Sequence, residues 1–196
     1  ERMSGLGEAG IYSLAYSIAQ LMLLFNTALI QTISPWMFRK IKNREEDQIS
    51  NIAYISLAIV AAMNILLIAI APEAVKVFAP STYYDAIWVI PPISVSVFFM
   101  YCYSLFVNFE FYYEKTGFIA TATLISAVLN LILNYFFIPQ FGYKAAGYTT
   151  LFCYFVQALS HYFFMDRICK KEFAGKIVFK KKPLLLITLI LICASS

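Results

Sequence analysis

Residues 116–143, TGFIATATLISAVLNLILNYFFIPQFGY, run for 28 positions without one charged side chain. A helix needs about 20 residues to cross a hydrocarbon core of ~30 Å. Inside that core every backbone N–H and C=O must find a partner within the protein, so a lone run of this kind spans only as a helix. The run has companions. Charge-free stretches cover 9–38, 48–72, 86–109, 116–143 and 145–165, of 30, 25, 24, 28 and 21 residues, and a shorter one of 14 residues covers 183–196. The pattern predicts an all-α polytopic membrane protein. It has five complete transmembrane helices plus a truncated sixth, at about 10–38, 49–72, 86–109, 116–138, 145–165 and 184–196.

Composition points the same way. The 196 residues are 61% hydrophobic and 13% charged, with a mean hydropathy of +0.73. Soluble domains run at about 45–50% apolar and ~25% charged. A soluble fold of this size has too much surface to hide so much apolar area, which excludes an ordinary soluble enzyme, a disordered chain and a disulfide scaffold. The chain begins at Glu1 and carries no signal peptide with a basic start. It therefore reads as a fragment, with spans expected on both sides. Cys102, Cys153, Cys169 and Cys193 show no metal-binding spacing and read as reduced, small apolar residues.

The few charges are sorted. Loop 39–48 holds Arg39, Lys40, Lys42 and Arg44, loop 110–115 holds Lys115, and loop 166–183 holds Arg167, Lys170, Lys171, Lys176, Lys180, Lys181 and Lys182. Alternating threading puts these 12 basic residues on one side and Arg2, Lys76 and Lys144 on the other. The positive-inside rule then makes loops 39–48, 110–115 and 166–183 cytoplasmic. The basic loops also attract anionic lipid, at about 1 kcal/mol per residue.

Polar residues inside the runs are ordered too. Tyr12, Tyr16, Gln20, Thr27 and Gln31 share one face of the first span, opposite Leu21, Met22, Phe25 and Leu29. Ser94, Tyr101, Ser104 and Asn108 form a second stripe. Thr116, Thr123, Ser126, Asn130 and Asn134 form a third, and Thr150, Cys153, Gln157 and His161 a fourth. Amides facing lipid are costly. The stripes therefore face either neighbouring helices or a shared hydrated interior, and four of them together favour the interior. His161 is the one histidine, and it lies within a span, where an ionisable side chain is a functional candidate. Glu110 and Glu114 read as a solvated face shared with Lys115. Pro72 is expected to stop the second span and Pro139 the fourth, while Pro91-Pro92 should kink the third. Residues 72–85 read as an interfacial segment, with Tyr83, Tyr84 and Trp88 in the aromatic belt. The spans hold no Gly-rich phosphate loop, no HExxH and no paired acids, so no catalytic group and no metal site is expected.

Residues 130–150, NLILNYFFIPQFGYKAAGYTT, resemble the N-x-x-x-N…I-P-x-[FY]-G-x-x-[GA]-A-[GA] pattern of bacterial polysaccharide flippases. These belong to the multidrug/oligosaccharidyl-lipid/polysaccharide exporter superfamily. EAGIYSLAYSIA at 8–19 is similar to the start of a mid-protein span in that family, and APEAVKVFAPSTYYDA at 71–86 is similar to its external linker. The resemblance implies a two-lobe transporter of which residues 1–196 form most of the second lobe, the first being absent from this chain.

It also implies a function. A lipid-linked oligosaccharide on polyprenyl pyrophosphate would cross the bacterial inner membrane by alternating access, for surface polysaccharide such as O-antigen or capsule. Lumen residues would be Tyr12, Tyr16, Gln20, Gln31, Tyr101, Asn108, Asn130, Asn134, Gln157 and His161. The amides would meet sugar hydroxyls and the tyrosines would stack on sugar rings. Gly142 and Gly147 would let helices bend or approach. The family is expected to line its cavity with cations, and these spans have none. The pyrophosphate would then be met by the first lobe or by Arg39 and Lys40.

Partners implied are membrane lipid, the lipid-linked glycan and polysaccharide polymerase or ligase enzymes, with no nucleic acid. No cofactor is implied, and sodium, a proton or no ion is left as the driver. Two rival readings stand beside this one. The first is a multidrug/cation antiporter, which needs cavity carboxylates. The second is a non-transporting scaffold that recruits assembly enzymes through loop 166–183.

Overall fold

The computed structural model describes residues 5–195, so Arg2, counted on the sparsely charged side, lies outside the described residues. The architecture is all-α. Six helices, α1 Gly5–Lys42, α2 Glu46–Phe78, α3 Ile90–Tyr112, α4 Thr116–Phe141, α5 Lys144–Glu172 and α6 Lys181–Ser195, follow one another, with a 3₁₀ helix Ser81–Trp88 between α2 and α3. No strand occurs among the described residues. Four segments are long and apolar enough to cross a membrane: Gly7–Lys42, Asp47–Val77, Ile90–Tyr112 and Thr116–Phe141. Helix α5, at 29 residues, has the length, but Thr149, Thr150, Gln157, Ser160 and His161 make it more polar than those four. Helix α6 has 15 residues. Large apolar side chains lie exposed along the outer faces, among them Leu24 on α1, Leu66 on α2, Leu131 on α4 and Leu186 on α6. That surface suits lipid rather than water, and the chain is compatible with a multi-pass membrane protein.

Helix α3 is the axis of the bundle. It packs most closely on α5 and α1, then on α2, and it also touches α4 and α6. Seventeen of its residues are buried, from Ile90 to Glu110. One core fills the middle and the basic end, where Leu57, Phe98, Leu105, Phe109 and Met165 interlock. A smaller core of Ala15, Ala19, Ala71, Val75, Val89 and Ile93 closes the other end. Helix α4 differs: it has no buried residue and is held mainly by α5.

The three basic loops meet at one end. The Arg44 guanidinium donates to the Glu172 carbonyl at 2.9 Å, and Tyr113 lies close to both residues. Burial, then the Glu172 carboxylate, push the Tyr113 hydroxyl up to about 12. Helices α1, α3 and α5 stop there by one device. The amides of Glu45, Lys115 and Gly175 reach back to the carbonyls of Lys40, Glu110 and Lys170 at 3.0, 2.8 and 2.9 Å. Each bond needs a left-handed residue just before it, and these are Arg44, Glu114 and Ala174, with φ of 58°, 57° and 51°. Phe179 then plugs the end, with its ring 5.4 Å from Phe106 and 6.0 Å from Phe109.

Several prolines act differently from expectation. Helix α2 passes through Pro72 and continues to Phe78, so 72–78 is helix rather than a separate segment. The stop is Pro80, because the residue before a proline is driven out of the helical region, and Ala79 is extended at φ −122°, ψ 146°. Pro91 and Pro92 open α3 instead of kinking it. In the first turn the missing N–H would have no helical partner anyway. Pro139 lies within α4, which ends two residues later at Phe141 and is capped by Gly142 with φ 69°.

Gly147 does what its position suggests. A Cβ there would sit 3.1 Å from Val89 Cγ1 and 3.3 Å from Pro92 Cγ, so glycine lets α5 press onto the start of α3. Gly147→Leu is expected to cost about 1–3 kcal/mol through overpacking. Unfolding in mixed micelles measures this, and an unchanged midpoint would contradict the contact.

Candidate functional site: a polar groove and a buried ion pair

Three of the four polar stripes converge. One groove, of 170 Å³, is walled by Tyr12, Tyr16 and Gln20 of α1, Ser96 of α3, and Thr150 and Tyr154 of α5. A second, of 230 Å³, is walled by Thr123, Ser126 and Asn130 of α4, and by Thr150, Cys153, Tyr154 and Gln157 of α5. Thr150 and Tyr154 form the common wall, so the two read as one polar trough along α5. Helical periodicity is the reason. Thr150, Tyr154 and Gln157 lie on one face of α5 at steps of four and three, with α1 on one flank and α4 on the other.

The trough is rich in rings and poor in charge. Tyr12 and Tyr16 stack at 6.3 Å with planes 18° apart. Tyr154 stacks on Tyr103 of α3 at 6.4 Å and 12°, and Tyr12 and Tyr16 lie near it. No charged side chain lines either part of the trough. Its hydroxyls and amides can exchange hydrogen bonds with a neutral polar ligand, and its ring faces can stack on one.

The remaining stripe residues lie elsewhere. Tyr101 is fully buried in the core beside Ser56 of α2, and Asn108, also buried, donates to the Ser104 carbonyl at 2.9 Å. The second stripe, that of α3, is thus enclosed, because α3 is packed on every side. Two hydroxyls of α3 turn back onto their own helix, Ser104 of the stripe onto the Met100 carbonyl and Ser96 beside it onto the Ile93 carbonyl. Gln31 is exposed, about 16 Å along α1 from Gln20 at 1.5 Å per residue. Asn134 ties α4 to α5: its amide donates to Asn130 Oδ1 at 3.0 Å and its oxygen accepts from the Thr149 hydroxyl. Of the head-group residues, Arg39 is exposed, while Lys40 Nζ sits 2.7 Å from the Glu45 carboxylate. That bond, more than any other contact, holds the Glu45 carboxyl below the usual carboxylate range.

Glu110 corrects the sequence reading most sharply. It is not on a solvated face: it is 0% exposed, and both its oxygens lie 2.9 Å from Nδ1 of His161, itself 0% exposed. Helix α3 runs on past Glu110 to Tyr112, so the carboxylate sits inside the bundle. Counting charge-free runs had to end the span at 109, because a charged residue defines the end of such a run. Tyr154 was missed although it follows Thr150 by one helical turn. Asn26 was missed as well: its amide donates to the Val97 carbonyl at 3.0 Å and joins α1 to α3. Comparison with family models, curated proteins and solved structures returned no match.

The Asn134–Thr149 bond is expected to couple α4 to α5 by about 0.6 kcal/mol, the average for hydrogen bonds between membrane helices. A double-mutant cycle of Asn134→Ala and Thr149→Ala in detergent unfolding measures it. Strictly additive effects would remove the bond from the account.

Proposed function

We propose that the chain is most of the second lobe of a lipid-linked oligosaccharide flippase of the bacterial inner membrane. On this reading α5 is a fifth span and α6 part of a sixth, the basic end faces the cytoplasm, and the protein is a transporter rather than an enzyme. The convergence of three polar stripes on one uncharged, tyrosine-walled trough carries the proposal. The motif at 130–150 adds support, since it contributes Asn130 and Thr150 to that trough.

The physical task fits the lining. Each sugar hydroxyl moved through hydrocarbon without a partner costs several kcal/mol. Gln20, Asn130 and Gln157 offer amide donors and acceptors, and Tyr12, Tyr16 and Tyr154 offer flat apolar faces with a polar tip. A lobe that rocks against its counterpart opens such a trough to each side in turn, while the lipid tail stays in the bilayer. Of the two head-group candidates at the basic end, Arg39 is exposed and would meet a pyrophosphate directly, whereas Lys40 must first leave Glu45. A cation antiporter would need a carboxylate facing the trough. Glu110 does not face it, being closed over by His161.

In the full-length protein, Gln20→Leu combined with Asn130→Leu is expected to slow glycolipid translocation about ten-fold or more, since two hydrogen bonds of about 0.5–1.5 kcal/mol each are lost. Leu131→Ala, on the outer face of α4, should leave the rate unchanged. Surface glycan and protein level are read together in cells. Normal glycan at normal expression in the double variant would overturn the lumen assignment.

A further inference from the structure

The Glu110–His161 pair is frustrated in every protonation state. Nδ1 of His161 faces the carboxylate, and Nε2 is buried with no hydrogen-bond partner. With Glu110 ionised and the ring neutral, Nδ1–H donates to the carboxylate, Nε2 keeps a bare lone pair, and one net negative charge is buried. With the ring charged, the net charge is zero, but Nε2–H points at no acceptor. With the proton on Glu110 instead, Nδ1 accepts it, so the ring's own hydrogen again sits on Nε2 without an acceptor. The states of zero net charge hold one proton more than the charged state. No arrangement in this conformation satisfies both nitrogen atoms and the charge.

The surroundings do not resolve the conflict. From α3 the titratable neighbour is Tyr103, whose ring lies 5.5 Å from the imidazole at 30°. From α4 the ring meets Phe118, which does not titrate, edge-on at 5.5 Å. From α5, Gln157 lies one turn before the histidine, and Phe164 stacks on Phe118 at 3.8 Å. Among the described residues no other ion pair reaches Glu110 or His161. What would relieve Nε2 is water, and Phe118, on the helix that has no buried residue, stands edge-on against the ring from the α4 side.

We propose that Glu110 and His161 form a proton-binding site, loaded and emptied through Nε2 when α4 lifts Phe118 away from the ring. A hydronium ion gives its proton to the Nε2 lone pair and leaves as water, and the pair passes from one net negative charge to none. Unloading is the reverse. The site is joined to the trough, because Tyr103 stacks on Tyr154, a residue of the trough wall, and also lies on His161. That this proton exchange gates glycolipid movement rests on the flippase reading. The proton site itself does not.

His161 is the single histidine of the chain, so a histidine-labelled sample reports on it without assignment. The full-length protein, labelled with ¹⁵N-histidine, with any histidines outside these 196 residues replaced, is placed in lipid nanodiscs and followed by NMR between pH 8 and 5. The expected result is one reversible change at Nε2 from bare to protonated nitrogen. In Glu110→Gln it moves to lower pH by a unit or more, a ten-fold loss of proton affinity, and in Glu110→Asp it is largely restored. Phe118→Ala should speed exchange without moving the midpoint.

A wild-type ring locked in one state across that range would overturn the proposal, as would an identical midpoint in Glu110→Gln. The wild-type titration stands even if a variant fails to fold. A ring that titrates with Glu110 in a protein that moves no glycolipid keeps the proton site and removes the flippase reading. A locked ring in an active flippase does the opposite.

Discussion

A polar group inside a membrane-spanning bundle is costly unless the protein itself gives it a partner, and the arrangement of these helices reflects how most of them find one. Hydroxyls along the spans donate to the carbonyl one turn back, as Thr27 does to Leu23, Thr121 to Gly117 and Thr188 to Leu184. Asn26 and Asn134 instead reach across to another helix or to a residue that does. These bonds free α3 to be buried on all sides, with α1, α2 and α5 packed around it. Gln20, Asn130 and Gln157 gather in the trough between α1, α4 and α5, while Nε2 of His161 stays buried without a hydrogen-bond partner.

Four of the predicted runs were legible as helices long and apolar enough to span, because a membrane tolerates few charges and a charge-free run of about 20 residues or more is what such a solvent selects. The same criterion hid Glu110. A charge was taken to end a helix, whereas α3 carries this one inside by pairing it with His161. The prolines were misread for a local reason. A proline costs a helix interior the bond its N–H would have made and a clash of its ring with the carbonyl one turn back, and neither cost arises in the first turn, where Pro91 and Pro92 lie. Ala79, made extended by Pro80, was the real boundary.

The trough was partly legible. Periodicity placed Tyr12, Tyr16, Gln20, Asn130 and Gln157 on inward stripes, and they do come together. It could not separate a stripe that lines space from one that is packed over, because both repeat every three to four residues. Ser94, Tyr101, Ser104 and Asn108 belong to the second kind, and only the position of α3 at the centre of the bundle decides it. Ser96 completes one wall from a face of α3 where a single polar residue carries no periodic signal, and Tyr154 completes both walls from the face it shares with Thr150 and Gln157.

The central claim is that α4 has a wet face and a lipid face, the wet one being the trough. Site-directed spin labels along 117–141, in the protein reconstituted in bilayers, compare accessibility to a water-soluble nickel chelate and to oxygen. The account predicts opposed oscillations at the helical period. The chelate should peak at Thr123, Ser126 and Asn130, and oxygen at Leu124, Leu131 and Tyr135. Oxygen dominating all round the helix would contradict it, since the polar stripe would then face lipid and no hydrated trough would exist.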